Sequence, residues 1–169
     1  MKKIFFIIGS SGAGKTTVVE GLEREKLPGF RFVYADKIGV PTEEEKKTQR
    51  SQEEWQKRKT LERILDVQKS TPDDVSVIFD SQTRPSFIEE SCATAGIRDY
   101  LTILIDCSDE ERRRRLTDRK QPELAHADMM NWAKYLREEM QKRNGIIIDN
   151  TDVSKEETAK ILKNLLIKD

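Results

Sequence analysis

Ile4-Phe5-Phe6-Ile7-Ile8 runs straight into Gly9-Ser10-Ser11-Gly12-Ala13-Gly14-Lys15-Thr16, and the reading of this junction decides the fold. Five consecutive large apolar residues read as a strand buried on both faces. The eight residues after them fit G-x-x-x-x-G-K-[ST] at every fixed position. Small residues from Gly9 to Gly14 let the backbone curl so that successive N–H groups point inward and form a concave anion site. Lys15 to about Lys26 follows as a predicted helix, whose N-terminus adds partial positive charge. In this strand–loop–helix context the stretch reads as a cradle for a chain of phosphates. Lys15 supplies a mobile cation for the β- and γ-phosphates, the Thr16 hydroxyl a ligand for Mg²⁺, and Thr17 assistance at the α-phosphate.

Outward from this junction the same rhythm recurs. Apolar runs lie at Arg31–Tyr34, Val75–Phe79, Leu101–Ile105 and Ile146–Ile148, separated by helix-favouring segments. Strands alternating with helices predict an α/β fold, a parallel sheet between two helical layers. Ser108-Asp109-Glu110-Glu111 and Ser154-Lys155-Glu156-Glu157 are capping boxes, in which the serine caps the N–H three residues on and the glutamate reaches back. Pro85 suits the first turn of a helix running through Ala95. Two charged, helix-favouring stretches break the rhythm, Thr42–Lys69 and Arg112–Arg143, the second interrupted at Gln121-Pro122. With no repeat, linker or low-complexity tract, they read as insertions at one rim of a single domain spanning residues 1–169.

In an open parallel sheet, ligands bind beyond the carboxyl ends of the strands. Asp80 ends the third run, where it can hold Mg²⁺ through water or simply begin a turn. Asp36 follows the second run and can accept a proton from an attacking hydroxyl, bind the acceptor, or cap a turn. Arg84 can grip an anionic acceptor bidentately, or lie on the surface. Of the arginines between 112 and 119, helical spacing aligns Arg112, Arg115 and Arg119. Arg115 and Arg119 are the candidates to cover a transferring phosphoryl group; the alternative is a solvated helix balanced by Asp109, Glu110 and Glu111. Arg137 is a further candidate over the acceptor, and Asn150 with Thr151, after the fifth run, could line a base pocket. His126, the only histidine, has no nucleophile beside it in the pattern and is assigned no role.

Composition narrows the partners. Lys plus Arg and Asp plus Glu number 31 each, so the basic excess of a general nucleic-acid binder is missing. No apolar run approaches membrane-spanning length, and the one after Met1-Lys2-Lys3 is too short for a signal peptide. Cys92 and Cys107 sit in no metal or redox spacing and read as reduced thiols of a cytoplasmic protein. The oligomeric state is left between monomer and homodimer.

Taken in order, Gly9–Thr16, Asp36, Val77–Asp80, Arg112–Arg119 with its Arg115-Leu116 pair, and Ile148–Thr151 resemble the small P-loop kinases of the nucleoside-monophosphate kinase and shikimate kinase type. The resemblance implies a three-layer α/β/α P-loop NTPase fold with five parallel strands in the order 2-3-1-4-5. It also implies an acceptor-binding insertion at about 37–70 and a lid at about 112–143. Carried over, Lys15 and Thr16 serve the phosphates and magnesium, Asp36 and Arg84 the acceptor, Arg115 and Arg119 the lid, and Asn150–Thr151 flank adenine. The chain departs from the named types in three ways. The acceptor-loop glycines and paired arginines of shikimate kinase are missing, Ser81-Gln82-Thr83-Arg84 replaces the glycine-rich turn of adenylate kinase, and the lid has no cysteine set. In the segments Asp80–Arg84 and Gln121–Leu124 it resembles kinase-like ATP-binding proteins of unassigned substrate.

The expected activity is therefore transfer of the γ-phosphoryl group of Mg·ATP to a small-molecule acceptor, such as a nucleoside monophosphate or a metabolite alcohol. The alternatives are an ATPase or nucleotide switch acting on a protein partner, and a kinase of nucleic-acid 5′ ends. No N/T-K-x-D guanine-reading motif is present, which favours ATP over GTP.

Overall fold

The computed structural model describes residues 3–35 and 52–168. Its strands are β1 (Ile4–Ile8), β2 (Phe30–Tyr34), β3 (Ser76–Ser81), β4 (Tyr100–Asp106) and β5 (Ile146–Asp149). All pair in parallel, in the order β2-β3-β1-β4-β5. The helices are α1 (Lys15–Arg24), α2 (Gln52–Ser70), α3 (Pro85–Thr94), α4 (Asp109–Asp118), α5 (Ala127–Lys142) and α6 (Lys155–Lys168), with a short 3₁₀ turn at Pro122–Leu124.

The continuous apolar runs make strands because both sheet faces are covered. Side chains alternate across a strand, so β1 sends Ile4, Phe6 and Ile8 into one core cluster and Phe5 and Ile7 into the other. The first cluster is completed by Ile64 and Val67 of α2, Ile88 and Cys92 of α3, and Leu136 and Met140 of α5. The second is completed by Val18, Val19 and Leu22 of α1 and Leu162 and Leu166 of α6. All five side chains of β1 are at most 1% exposed, and each such burial is worth on the order of 1.5–3 kcal/mol.

β3 extends beyond the apolar run that predicted it. Asp80 is not a residue past the strand end; it lies within β3 and pairs in register with Ile7, while Ser81 pairs with Ile8. That register sets Asp80 beside the end of β1, where the phosphate loop departs. The range read as a lid divides in two. Within it, α5 packs Ala133, Leu136 and Met140 into the interior, whereas Gln121 and Leu124 of the connection border the phosphate loop.

The capping boxes are half used at α4. Ser108 Oγ accepts from the Glu111 N–H at 3.2 Å, and Ser154 Oγ from the Glu157 N–H at 3.1 Å. The Glu111 carboxylate, however, does not reach back to Ser108. It is held by Arg114 and Arg115 at 2.6–2.7 Å, and the Ser108 N–H donates instead to Thr151 Oγ1 at 2.8 Å. Two guanidinium groups outcompete a neutral amide for a carboxylate. The result ties the start of α4 to the end of β5.

Candidate functional site

The site forms where the loop Gly9–Gly14 leaves the carboxyl end of β1 and turns into α1. Two glycines there are obligatory on steric grounds. A Cβ on Gly9 would lie 2.6 Å from the Ile105 carbonyl oxygen of β4. A Cβ on Gly12, whose φ is +83°, would lie 2.8 Å from Arg112 Cγ and 3.1 Å from Leu116 Cγ. α4 is thus packed directly against the outer wall of the loop.

Lys15 begins α1 and is 3% exposed; its ammonium is ion-paired with the Asp80 carboxylate, itself 1% exposed. Burial of both charges makes the pair sensitive to loss of either member. Thr16 is exposed at the mouth of the loop. One buried carboxylate and one hydroxyl are hard oxygen donors. They suit Mg²⁺, which binds few protein groups and keeps the rest of its octahedron for water and phosphate oxygens.

The arginine stripe of α4 follows the loop step by step. Arg112 donates to Ser10 Oγ at 2.5 Å and to the Ser11 carbonyl at 3.2 Å. Arg115 donates to the Ala13 carbonyl at 3.3 Å, and Arg119, just past the helix end, to Thr17 Oγ1 at 3.5 Å. Arg113 is exposed, and Arg114, held by Glu111 and Asp118, borders a cavity beside the segment Asn150–Lys155. Glu111, gripped mainly by Arg114 and then by Arg115, has its carboxyl held down at about 2.

Asn150 is buried and braces the same loop. Its amide donates to the Ala13 carbonyl at 2.9 Å, while its side-chain and backbone oxygens accept from Arg115 at 2.9 and 2.8 Å. The Thr151 hydroxyl donates to Asp149 at 2.6 Å, which, with the Thr151 N–H bond, holds the Asp149 carboxyl below its usual range.

Two cavities adjoin here. One of about 310 Å³ is bordered by the loop from Ser10, by Lys15, Thr16 and Thr17, and by Gln82, Leu116, Gln121 and Leu124. The other, about 420 Å³, is bordered by α4 and by the segment Asn150–Lys155. Gly14, Thr17 and Arg119 border both.

Of the residues singled out in the sequence, Gly9 to Thr17, Asp80, Arg115, Arg119, Asn150 and Thr151 come together at this junction. Asp36 lies outside the described residues; the preceding Ala35 N–H donates to the Asp80 carbonyl at 2.8 Å. Arg84 borders neither cavity; its guanidinium lies 5.3–5.7 Å from the rings of Phe87, Trp132 and Tyr135. Arg137 also borders neither, its Nε donating to Asp106 at 2.6 Å. Two residues at the site were not picked out in the sequence, Asp106 and Gln82. An aspartate ending the fourth apolar run, just before an arginine-rich helix, was the available signal for the first.

In fold, the chain is similar to solved kinases and to a resistance protein. It superposes on the Deinococcus radiodurans tunicamycin resistance protein with a TM-score of 0.64 at 15% identity, covering 98% of this chain and 96% of that one. The thymidylate kinase of Candida albicans gives 0.64 at 14% identity, covering 99% and 92%. The shikimate kinase of Acinetobacter baumannii gives 0.55 at 17% identity, covering 99% and 94%. No curated protein matches the chain in sequence. Residues 6–131, from β1 into α5, match the family described as AAA domain (AAA_18). With that match over most of its length, and with the five-stranded 2-3-1-4-5 sheet of the P-loop kinases, the chain belongs to the AAA_18 family.

Proposed function

We propose that this protein transfers the γ-phosphoryl group of Mg·ATP to a small-molecule acceptor. The observation that carries the reading is that the phosphate loop, its Lys15 paired with the buried Asp80, and Arg119 border two adjoining cavities. In this reading the larger cavity, beside Asn150–Lys155, takes the nucleoside. The smaller takes the phosphates and opens towards Gln82.

Within that reading the chain does its work by position and charge. The loop N–H groups hold the phosphate chain, and Lys15 exchanges its contact with Asp80 for phosphate oxygens. Asp80 and Thr16 would hold Mg²⁺, which when bound would neutralise charge on the phosphates. Arg119, and Arg115 behind it, stabilise negative charge on the transferring group. Asp36 takes the proton of the attacking hydroxyl as the new O–P bond forms and the bond to ADP breaks. Arg84 binds an anionic part of the acceptor. Among the described residues no carboxylate pairs with it, and its guanidinium lies against the stacked rings of Trp132 and Tyr135. Arg137 steadies the lid side of the site.

The test is transfer of label from γ-labelled Mg·ATP by purified protein. The acceptors would be nucleoside monophosphates, nucleosides, shikimate, gluconate, other small alcohols and nucleic-acid 5′ ends. Label in one small-molecule class is the expected result and names the acceptor. Label only in free phosphate, whatever is added, overturns the kinase reading in favour of an ATPase or switch.

A further inference from the structure

We infer that Asp106 and Arg112 are positioning residues that hold the phosphate loop in its anion-ready shape before any nucleotide arrives. The inference rests on the loop being a phosphate site, as proposed above, but concerns residues that touch no phosphate.

Arg112 is 0% exposed, an extreme position for a guanidinium. It sits on α4 with its stem against Gly12, so close that a Cβ there would collide with it. One of its terminal nitrogens donates to Ser10 Oγ and to the Ser11 carbonyl, both in the loop. The other donates to Asp106 Oδ1 at 2.6 Å and to the Cys107 carbonyl at 3.0 Å. The second oxygen of Asp106 accepts from Arg137 Nε of α5 at 2.6 Å. One carboxylate at the end of β4 is therefore clamped from two helices, and the inner arginine passes that restraint to the loop.

The direction of the restraint matters. A loop that binds anions through N–H groups must keep its carbonyls turned outward. Arg112 and Arg115 take the Ser11 and Ala13 carbonyls on the outer side, and Asn150 adds a second bond to Ala13. A buried ion pair confers little net stability against an apolar replacement, but its hydrogen bonds fix geometry. Each terminal nitrogen of Arg112 makes two such bonds, while its Nε finds no partner among the described residues. Preset geometry removes an ordering cost from ligand binding. Slackening the clamp should therefore weaken phosphate binding in a protein that is still folded.

The experiment measures binding of ADP and of inorganic tripolyphosphate by calorimetry, alongside thermal unfolding. The variants are Asp106→Asn, Arg112→Lys and Ser10→Ala. Ser10→Ala removes only the far end of the clamp and spares the buried ions, so it remains informative if the other two fail to fold. Arg143→Gln is the control, since it breaks the surface pairs with Glu89 and Glu139 far from the loop. Asp106→Asn and Arg112→Lys are expected to bind both ligands about tenfold more weakly, and Ser10→Ala about threefold, with Arg143→Gln unchanged. A purely structural role would lower the melting temperature and leave the affinity of the folded protein unaltered. Unaltered affinity in Ser10→Ala and in every folded variant of the clamp would overturn the inference while leaving the kinase reading standing. Failure of the unmodified protein to bind either ligand would remove both.

Discussion

The phosphate loop and the arginine helix beside it contrast in how residue identity relates to role. In the loop, Gly9 to Thr16, each residue has one place it can serve, because the backbone path leaves no room at Gly9 or Gly12 and Lys15 is the only cation in that stretch. In α4, four identical residues have four fates. Arg112 is wholly buried, Arg113 is solvated, Arg114 is paired at the surface, and Arg115 braces Ala13 and Asn150. Chemistry decides role in the first region; the angle around the helix decides it in the second.

The comparison can be broken most forcefully at Lys15. Lys15→Ala should lower phosphoryl turnover by about 100- to 1000-fold, measured as release or transfer of γ-label. The sequence alone suggests that the fold would be indifferent to this change. The buried Asp80 partner indicates otherwise, and a loss of about 3–5 kcal/mol is expected in denaturant unfolding. Adding Asp80→Asn should restore stability without restoring activity. If the double variant turns over label, the loop does not depend on its lysine.

Gly12→Ala probes the contact between the two regions. It forces a left-handed backbone on alanine and drives a methyl group into Arg112 and Leu116, so unfolding should shift by about 1–3 kcal/mol and ADP affinity should fall with it. Retained affinity would mean that α4 does not shape the loop.

Within α4, Arg115→Ala should weaken ADP binding about tenfold by freeing Ala13 and Asn150. Its neighbour Arg113→Ala should change unfolding by less than about 0.5 kcal/mol and leave affinity alone. Equal effects from the two would erase the angular distinction.

The smallest effect expected is acid-dependent. The Glu111 carboxyl is held at about 2, below the ordinary value of 4.5, by the guanidinium groups of Arg114 and Arg115. A carboxyl depressed in the folded state stabilises above its unfolded value, and that stability is lost as pH falls from 4.5 towards 2. Glu111→Gln should therefore show a shallower decline in melting temperature across that window, with a small change at neutral pH because the pair is partly solvated. Identical acid slopes would show that the pair contributes nothing to stability.

Much of the fold was legible because periodicity and punctuation are local. The five apolar runs became the five strands with shifts of a residue or two, since only a strand covered on both faces tolerates such runs. The serine caps were legible for the same reason, being written in four consecutive residues. Their glutamate half was not, because Glu111 had two arginines one turn away that bind it more strongly. At the site, helical spacing correctly grouped Arg112, Arg115 and Arg119 on one face. It did not distinguish a buried brace from an exposed cation at the cavity rim, since that depends on how deeply each turn of α4 sits against the loop. Asn150 shows the same limit. Its position after β5 marked it as a candidate to line a base pocket, yet its amide is spent on the Ala13 carbonyl and on Arg115.

The amino-acid sequence by itself determined the alternation of strands and helices and the phosphate-loop pattern, and it nominated candidate residues for a phosphoryl group. Each of these depends on groups within a few positions of one another along the chain. The tertiary structure alone decided that Lys15 faces Asp80 across 65 positions and that Arg112 reaches Ser10 across 102. It also joined α4 to α5 through Asp106. Those meetings arise from the strand order β2-β3-β1-β4-β5, which puts the ends of β3 and β4 on either side of β1. Buried charges must find partners wherever that order brings them, because a charge left unpaired away from solvent is costly.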